Sequence, residues 1–164
     1  QALIRARPVA GDPVLFDRFD KIREQALTRE REPDTLRTEV GEMRERMRKQ
    51  RLVYEPGLFD LKQGLGGIVD IEFLVQYLVL LHAATFPQLL RYPDNIRQLD
   101  ALADAGCCTR ASATRLQDIY RSYRSRLHRL ALNDRPSLVD VDRFDEERHF
   151  VIGVWAEVFA NSAT

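Results

Sequence analysis

The chain has 164 residues, with 25 lysines and arginines balanced by 25 aspartates and glutamates. That length accommodates one domain with a true interior, and 45% hydrophobic with 30% charged residues excludes an intrinsically disordered chain. Zero net charge argues against a protein that lives by non-specific nucleic-acid binding, because neutralising phosphates needs a basic excess.

Read along the chain, almost every segment has helical period. Pro13 fits a first helical turn, and Leu15, Phe19, Ile22 and Ala26 then share one face. Pro33 closes that element. Asp34 or Thr35 can cap the next, in which Leu36, Val40, Met43 and Met47 form the apolar stripe and Arg37, Arg44, Arg46, Arg48, Lys49 and Arg51 occupy the outer faces. Gly41 within it implies close packing or a bend. Between Tyr54 and Gly67 the pattern breaks, and Pro56, Gly57, Gly64, Gly66 and Gly67 argue against any regular element. Ile68 to Ala84 is apolar almost all round, the mark of a central helix. A shorter helix follows Tyr92-Pro93-Asp94 and ends at Gly106. Thr109 to Leu132 is a long amphipathic helix with Leu116, Tyr120, Tyr123 and Leu127 inward. An acidic loop from Asp140 to Glu147 leads into a last helix with Val151, Val154, Trp155 and Val158 inward. The pattern predicts an all-α bundle of about five to six helices, with one long glycine-containing loop before the central helix.

The longest uncharged stretch, Phe73 to Leu90, is broken by Gln76, His82, Thr85, Pro87 and Gln88, so it reads as a buried helix rather than a membrane span of ~20 apolar residues. No export leader is visible, Gln1 looks like a cut in a longer chain, and the adjacent Cys107 and Cys108 suit neither a mutual disulfide nor a metal cage. A reducing cytoplasm fits best. No serine or cysteine has the context of an activated nucleophile, and His82, His128 and His149 lack a partner at ligand spacing, so no metal site is expected.

The conspicuous segment is Asp60-Leu61-Lys62-Gln63-Gly64-Leu65-Gly66-Gly67-Ile68-Val69-Asp70-Ile71-Glu72. Glycines leading into a helix N-terminus, with Lys62 just before them, are the parts of an anion or phosphate cradle. The same residues also describe a tight turn in which Asp70 complements the helix dipole. It is not a Walker A loop, since no Gly-Lys-Ser/Thr is present. Asp70 and Glu72 stand two apart and so point to different sides of the helix, which argues against a shared metal. The arginines of the Thr109–Leu132 helix have only Asp118 among them, and Arg121, Arg124 and Arg129 are candidates for docking an acidic partner.

This segment, continued by Phe73 and Gln76-Tyr77-Leu78-Val79-Leu80, resembles the signature of glutamine synthetase adenylyltransferases. So do Gln1 to Arg7 with Gly11-Asp12, Thr38-Glu39-Val40 with Met43-Arg44, Asp94-Asn95-Ile96-Arg97, and His128 to Leu132. Leu65 departs mildly from the pattern, where relatives commonly carry a polar residue. The resemblance implies a piece of a bifunctional enzyme that transfers AMP from ATP, with magnesium, to a tyrosine of glutamine synthetase and removes it again, under the control of glutamine and the PII signal protein. On that reading residues 1–12 leave an upstream nucleotidyltransferase domain, and residues 13–164 are the C-terminal helical bundle. The metal-holding Gly-Ser and Asp-x-Asp signature is not in this sequence, so no catalytic residue and no cofactor are expected here, and the fragment alone should be inactive. The resemblance favours a site-lining role for the glycine segment, with Lys62 near phosphate or ribose, Gly64, Gly66 and Gly67 beside it, and Asp70 fixing the turn. The expected partners are glutamine synthetase, PII and the upstream catalytic domain. The alternative is a non-catalytic scaffold that only binds glutamine synthetase or PII. A nucleic-acid-binding module is the third reading, set apart by salt-sensitive binding to DNA or RNA.

Overall fold

The computed structural model describes residues 1–159; the last five residues of the expected bundle, 160–164, lie outside the described residues. The α-helices are α1 (Ala2–Arg5), α2 (Pro13–Leu27), α3 (Pro33–Arg51), α4 (Ile68–His82), α5 (Asn95–Asp104), α6 (Arg110–Leu132) and α7 (Asp145–Phe159). Single 3-10 turns at Pro87–Leu90 and Val141–Phe144 join them. The architecture is predominantly helical, as the periodicity predicts, and α1 adds one short turn to the expected count.

Local chemistry sets the boundaries. Asp12 accepts from the Val14 amide and Pro13 opens α2, Glu32 accepts from the Asp34 and Thr35 amides ahead of Pro33, Asp94 caps α5 through the Arg97 amide, and Thr109 caps α6 through the Ser112 amide. Helix α4 is the centre. Ile71, Val75, Tyr77 and Val79 are almost wholly enclosed, and α3, α5, α6 and α7 all pack against it. Ile4 is fully buried, and Arg23 on α2 donates to the Leu3, Ile4 and Leu90 carbonyls, so residues 2–5 are fastened to the bundle.

Three expectations need correction. The Tyr54–Gly67 segment does hold a regular element: β1 (Leu58–Asp60) pairs antiparallel with β2 (Leu138–Asp140), placing Phe59 opposite Val139. The prolines and glycines that argued against a strand flank it, and its partner lies 80 residues away, beyond the reach of local pattern. On α2, Leu15 and Ile22 are exposed, because the helix sits at the edge of the bundle, packed chiefly against α1 and the Pro87–Leu90 turn. On α3, Met43 is exposed and Arg44 is buried at 1% exposure; the inward stripe runs Leu36, Val40, Arg44, four residues at a time. Gly41 lets the Phe159 ring of α7 approach, 3.8 Å from where a Cβ would stand.

Candidate functional site

The glycine segment leaves β1 as a tightly wound loop held by two buried carboxylates. Asp60 is 3% exposed and accepts four hydrogen bonds: its Oδ1 takes the Lys62 amide (2.9 Å), the Gln63 amide (3.0 Å) and the Ser137 hydroxyl (2.7 Å), and its Oδ2 takes the Val53 amide (3.1 Å). It ties the α3–β1 linker and the segment before β2 to the start of the loop. Asp70, in the first turn of α4, takes the Gly66 amide on Oδ2 at 2.7 Å, which fixes the glycine turn. Its Oδ1 receives Arg44 Nε at 2.6 Å and Arg48 Nη2 at 3.1 Å. Arg44 also donates to the Gln63 carbonyl at 2.9 Å, so α3, the loop and α4 meet in one enclosed ionic knot. Burial pulls the Arg44 pKa down while Asp70 pushes it up; the guanidinium stays charged and its charge is matched.

The glycines serve this winding. Gly66 has φ of +77°, and a Cβ there would lie 2.6 Å from the Arg148 carbonyl of α7. A Cβ on Gly64 would strike the Phe59 ring and the Asp60 carbonyl. The donors that could cradle an anion are used internally: the Gly64 amide bonds the Asp60 carbonyl, Gly67 that of Gly64, Ile68 that of Leu61, and Asp70 that of Gly67. The backbone here braces itself, and the charge it leaves outward is Lys62, exposed between buried Leu61 and Gln63.

Lys62 reaches a groove of about 380 Å³ that it shares with Arg124, His128 and Arg135, over a floor containing Leu127, Leu130 and Ala131. No carboxylate lines this groove, and none of its three cations takes part in an ion pair among the described residues. The structure therefore brings Lys62 together with Arg124 of the docking candidates. Arg121 borders the adjoining groove with Arg124, Ser125 and His128. Arg129 lines neither, because five residues on from Arg124 carries it well round the helix.

Asp70 and Glu72 do point apart. Glu72 faces Arg5 at 3.3 Å and accepts from the Tyr120 hydroxyl at 3.1 Å, on the other side of α4 from Arg44. Burial, then the Glu72 charge, raises the Tyr120 pKa. Among the described residues no three His, Cys, Asp or Glu side chains gather as a metal-binding group. Asp60 and Asp70 are the best enclosed carboxylates near the loop, and amide, hydroxyl and guanidinium donors already occupy them, so they do not fit a magnesium ion. Cys107 and Cys108 are free and half-buried, and burial raises both thiol pKa values. No helix among the described residues is long and apolar enough to cross a membrane.

Sequence reasoning missed Arg44 and Asp60 as functional holders. The signal for Arg44 lay in the i, i+4, i+8 spacing from Leu36 and Val40, which an arginine in third place disguises. For Asp60, the one local cue was an aspartate two and three residues before the amides it caps, as in an Asx turn.

Comparison with known proteins places these features in a family. Residues 22–138 match the family model described as GlnD PII-uridylyltransferase. The chain is similar to the bifunctional glutamine synthetase adenylyltransferase/adenylyl-removing enzymes of Hahella chejuensis (47% identity over 98% of this chain), Methylococcus capsulatus (46% over 96%) and Thioalkalivibrio sulfidiphilus (46% over 96%). It spans only 17%, 17% and 16% of the length of those relatives.

Proposed function

The chain belongs to the family of the GlnD PII-uridylyltransferase model, on the side of its glutamine synthetase adenylyltransferase relatives, and from that premise we propose that it acts as a helical domain completing the nucleotide cleft of such an enzyme. In this role it serves the transfer of AMP from ATP to a tyrosine of glutamine synthetase, and supplies none of the catalytic carboxylates. Lys62 stands at the edge of the cleft and meets phosphate or ribose. Gly64, Gly66 and Gly67 form the turn beside it, and Asp60, Asp70 and Arg44 hold that turn. The upstream nucleotidyltransferase domain of the longer protein, with its ATP and magnesium, provides the chemistry, so the isolated domain is inactive. Glutamine synthetase and PII are its protein partners, and the cytoplasm is its compartment.

The observation that supports this reading is one exposed lysine on a loop whose backbone is internally hydrogen-bonded and whose other exposed side chain, Leu65, carries no charge. A turn that only joined β1 to α4 would not need two buried carboxylates and a buried arginine to hold its backbone. A cation carried on a braced backbone beside a forming or departing phosphoryl charge stabilises that charge. In the full-length enzyme Lys62→Ala should lower AMP incorporation into glutamine synthetase by roughly 10²-fold, with an unchanged circular dichroism spectrum. Normal turnover would leave the scaffold reading, in which Arg121, Arg124 and Arg129 bind the partner and the glycine loop contributes stability alone.

A further inference from the structure

The groove beside Lys62 is one part of a longer cationic strip. Arg124 borders three adjoining depressions: the groove shared with Lys62, His128 and Arg135, that shared with Arg121, Ser125 and His128, and a third shared with Arg5, Asn95, Arg97 and Tyr120. From Tyr120 to Ala131 the strip follows one side of α6 for roughly 16 Å, at about 1.5 Å per residue. The carboxylates along its margin are already engaged: Asp94 by Arg97, Asp118 by Arg121, and Glu72 by Arg5. Arg124, Arg135 and Lys62 have no such partner among the described residues. In a chain of zero net charge this strip concentrates one sign on one side.

Its shape and lining select among anions. A compact phosphate would occupy one depression and leave the others empty. The floor between the cations is aliphatic, Leu127, Leu130 and Ala131, and Tyr120, the aromatic ring among the described residues that lines the depressions, is 7% exposed. Single-stranded nucleic acid binds on exposed aromatic faces that stack its bases, and the strip offers none. Carboxylates spaced along an extended backbone, with an apolar side chain between them, match both the rim and the floor. A segment of about five residues at ~3.3 Å each covers its length.

We infer that the α6 strip, centred on Arg124, running to Arg135 and ending beside Lys62, seats an extended acidic segment of a partner protein that carries aspartates or glutamates around an apolar side chain. This deepens the proposed function, since it names the kind of segment by which that partner is held next to Lys62. Arg121 and Arg124 belong to the strip and Arg129 does not.

The test uses a fluorescein-labelled peptide of alternating glutamate and leucine, with dT oligonucleotide and inorganic pyrophosphate as competing probes, read by anisotropy on the wild-type chain and its variants. The peptide should bind, and the double variant Arg124→Glu, Arg135→Glu should weaken it about tenfold or more, while Arg129→Glu leaves it unchanged. No binding of the peptide, equal binding by the double variant, or binding of the oligonucleotide or pyrophosphate in its place overturns the inference. In the full-length enzyme the same double variant should raise KM for glutamine synthetase and leave KM for ATP unaltered; a KM for glutamine synthetase equal to wild type also overturns it. If the wild-type enzyme fails to transfer AMP at all, the proposed function falls, and the peptide measurement still decides the strip.

Discussion

Arg44 shows what one buried residue does for this site. Its guanidinium closes an enclosed charge pair with Asp70 and braces the Gln63 carbonyl inside the loop. Removing one member of such a pair leaves an uncompensated buried charge, so Arg44→Ala should cost about 3–5 kcal/mol of stability in denaturant unfolding. Gly66→Ala should be severe for a different reason: φ of +77° costs an L residue about 1–3 kcal/mol, and the Arg148 carbonyl leaves no room for the methyl. A thermal midpoint for Gly66→Ala within a degree of wild type would contradict that account of the turn. His82 supplies a pH signature. Burial lowers its pKa from the ordinary value of 6.5, so the unfolded chain binds the proton more readily than the folded one. Stability should therefore fall as pH drops below about 6.5 towards the lowered folded pKa, and the fall should be smaller in His82→Gln, measured by urea unfolding at several pH values. The sequence disclosed the role of Asp70 more readily than that of Arg44. A carboxylate in a first helical turn after glycines is a familiar pattern, whereas a charged residue on an apolar stripe is visible only once α4 is packed against α3.

At the scale of elements, helices were legible and the small sheet was not. Apolar pattern marked α4 because eleven of its residues from Ile68 to Leu80 are buried, and it marked α6 as well; Asp94 and Thr109 hold the first-turn amides of α5 and α6. β1 and β2 are three residues each, and their pairing brings together segments separated by the whole of α4, α5 and α6. No window of local pattern contains both. The outward face of α2 was also illegible, since amphipathicity reports which side would be buried and not whether anything is there to bury it. Thr109→Ala should lower the stability of α6 by about 1 kcal/mol, read as a drop of roughly 2–4 °C in the thermal midpoint for a chain of this size. The sheet makes a further demand on the site. Ser137, next to β2, bonds Asp60 at the end of β1, so loss of the pairing should loosen the loop that carries Lys62.

At the scale of the molecule, zero net charge conceals a division of labour. Two glutamates of α3 are spent on its own arginines, Glu42 on Arg46 and Glu45 on Arg48, while the α6 strip keeps cations in reserve. One side is therefore electrically closed and another open. The chain belongs to this family and spans 17% of the length of its Hahella chejuensis relative; in the function proposed above, the open side is the one that faces a partner. The candidate residues Lys62 and Arg124 come from segments 62 residues apart, and no motif announces that they share a groove. Their meeting depends on β1 and β2 drawing the loop against the end of α6, the part of the fold least visible in the sequence.

The central claim is that Lys62 stands within reach of the bound nucleotide, and labelling addresses it directly. Periodate-oxidised ATP carries a ribose dialdehyde that forms a Schiff base with a nearby lysine amine, and this chain offers only Lys21, Lys49 and Lys62. In the full-length enzyme, borohydride trapping and peptide mass spectrometry should find the adduct on Lys62 in preference to Lys21 and Lys49, with ATP protecting it. An unlabelled Lys62, or labelling that ATP does not suppress, would contradict the account.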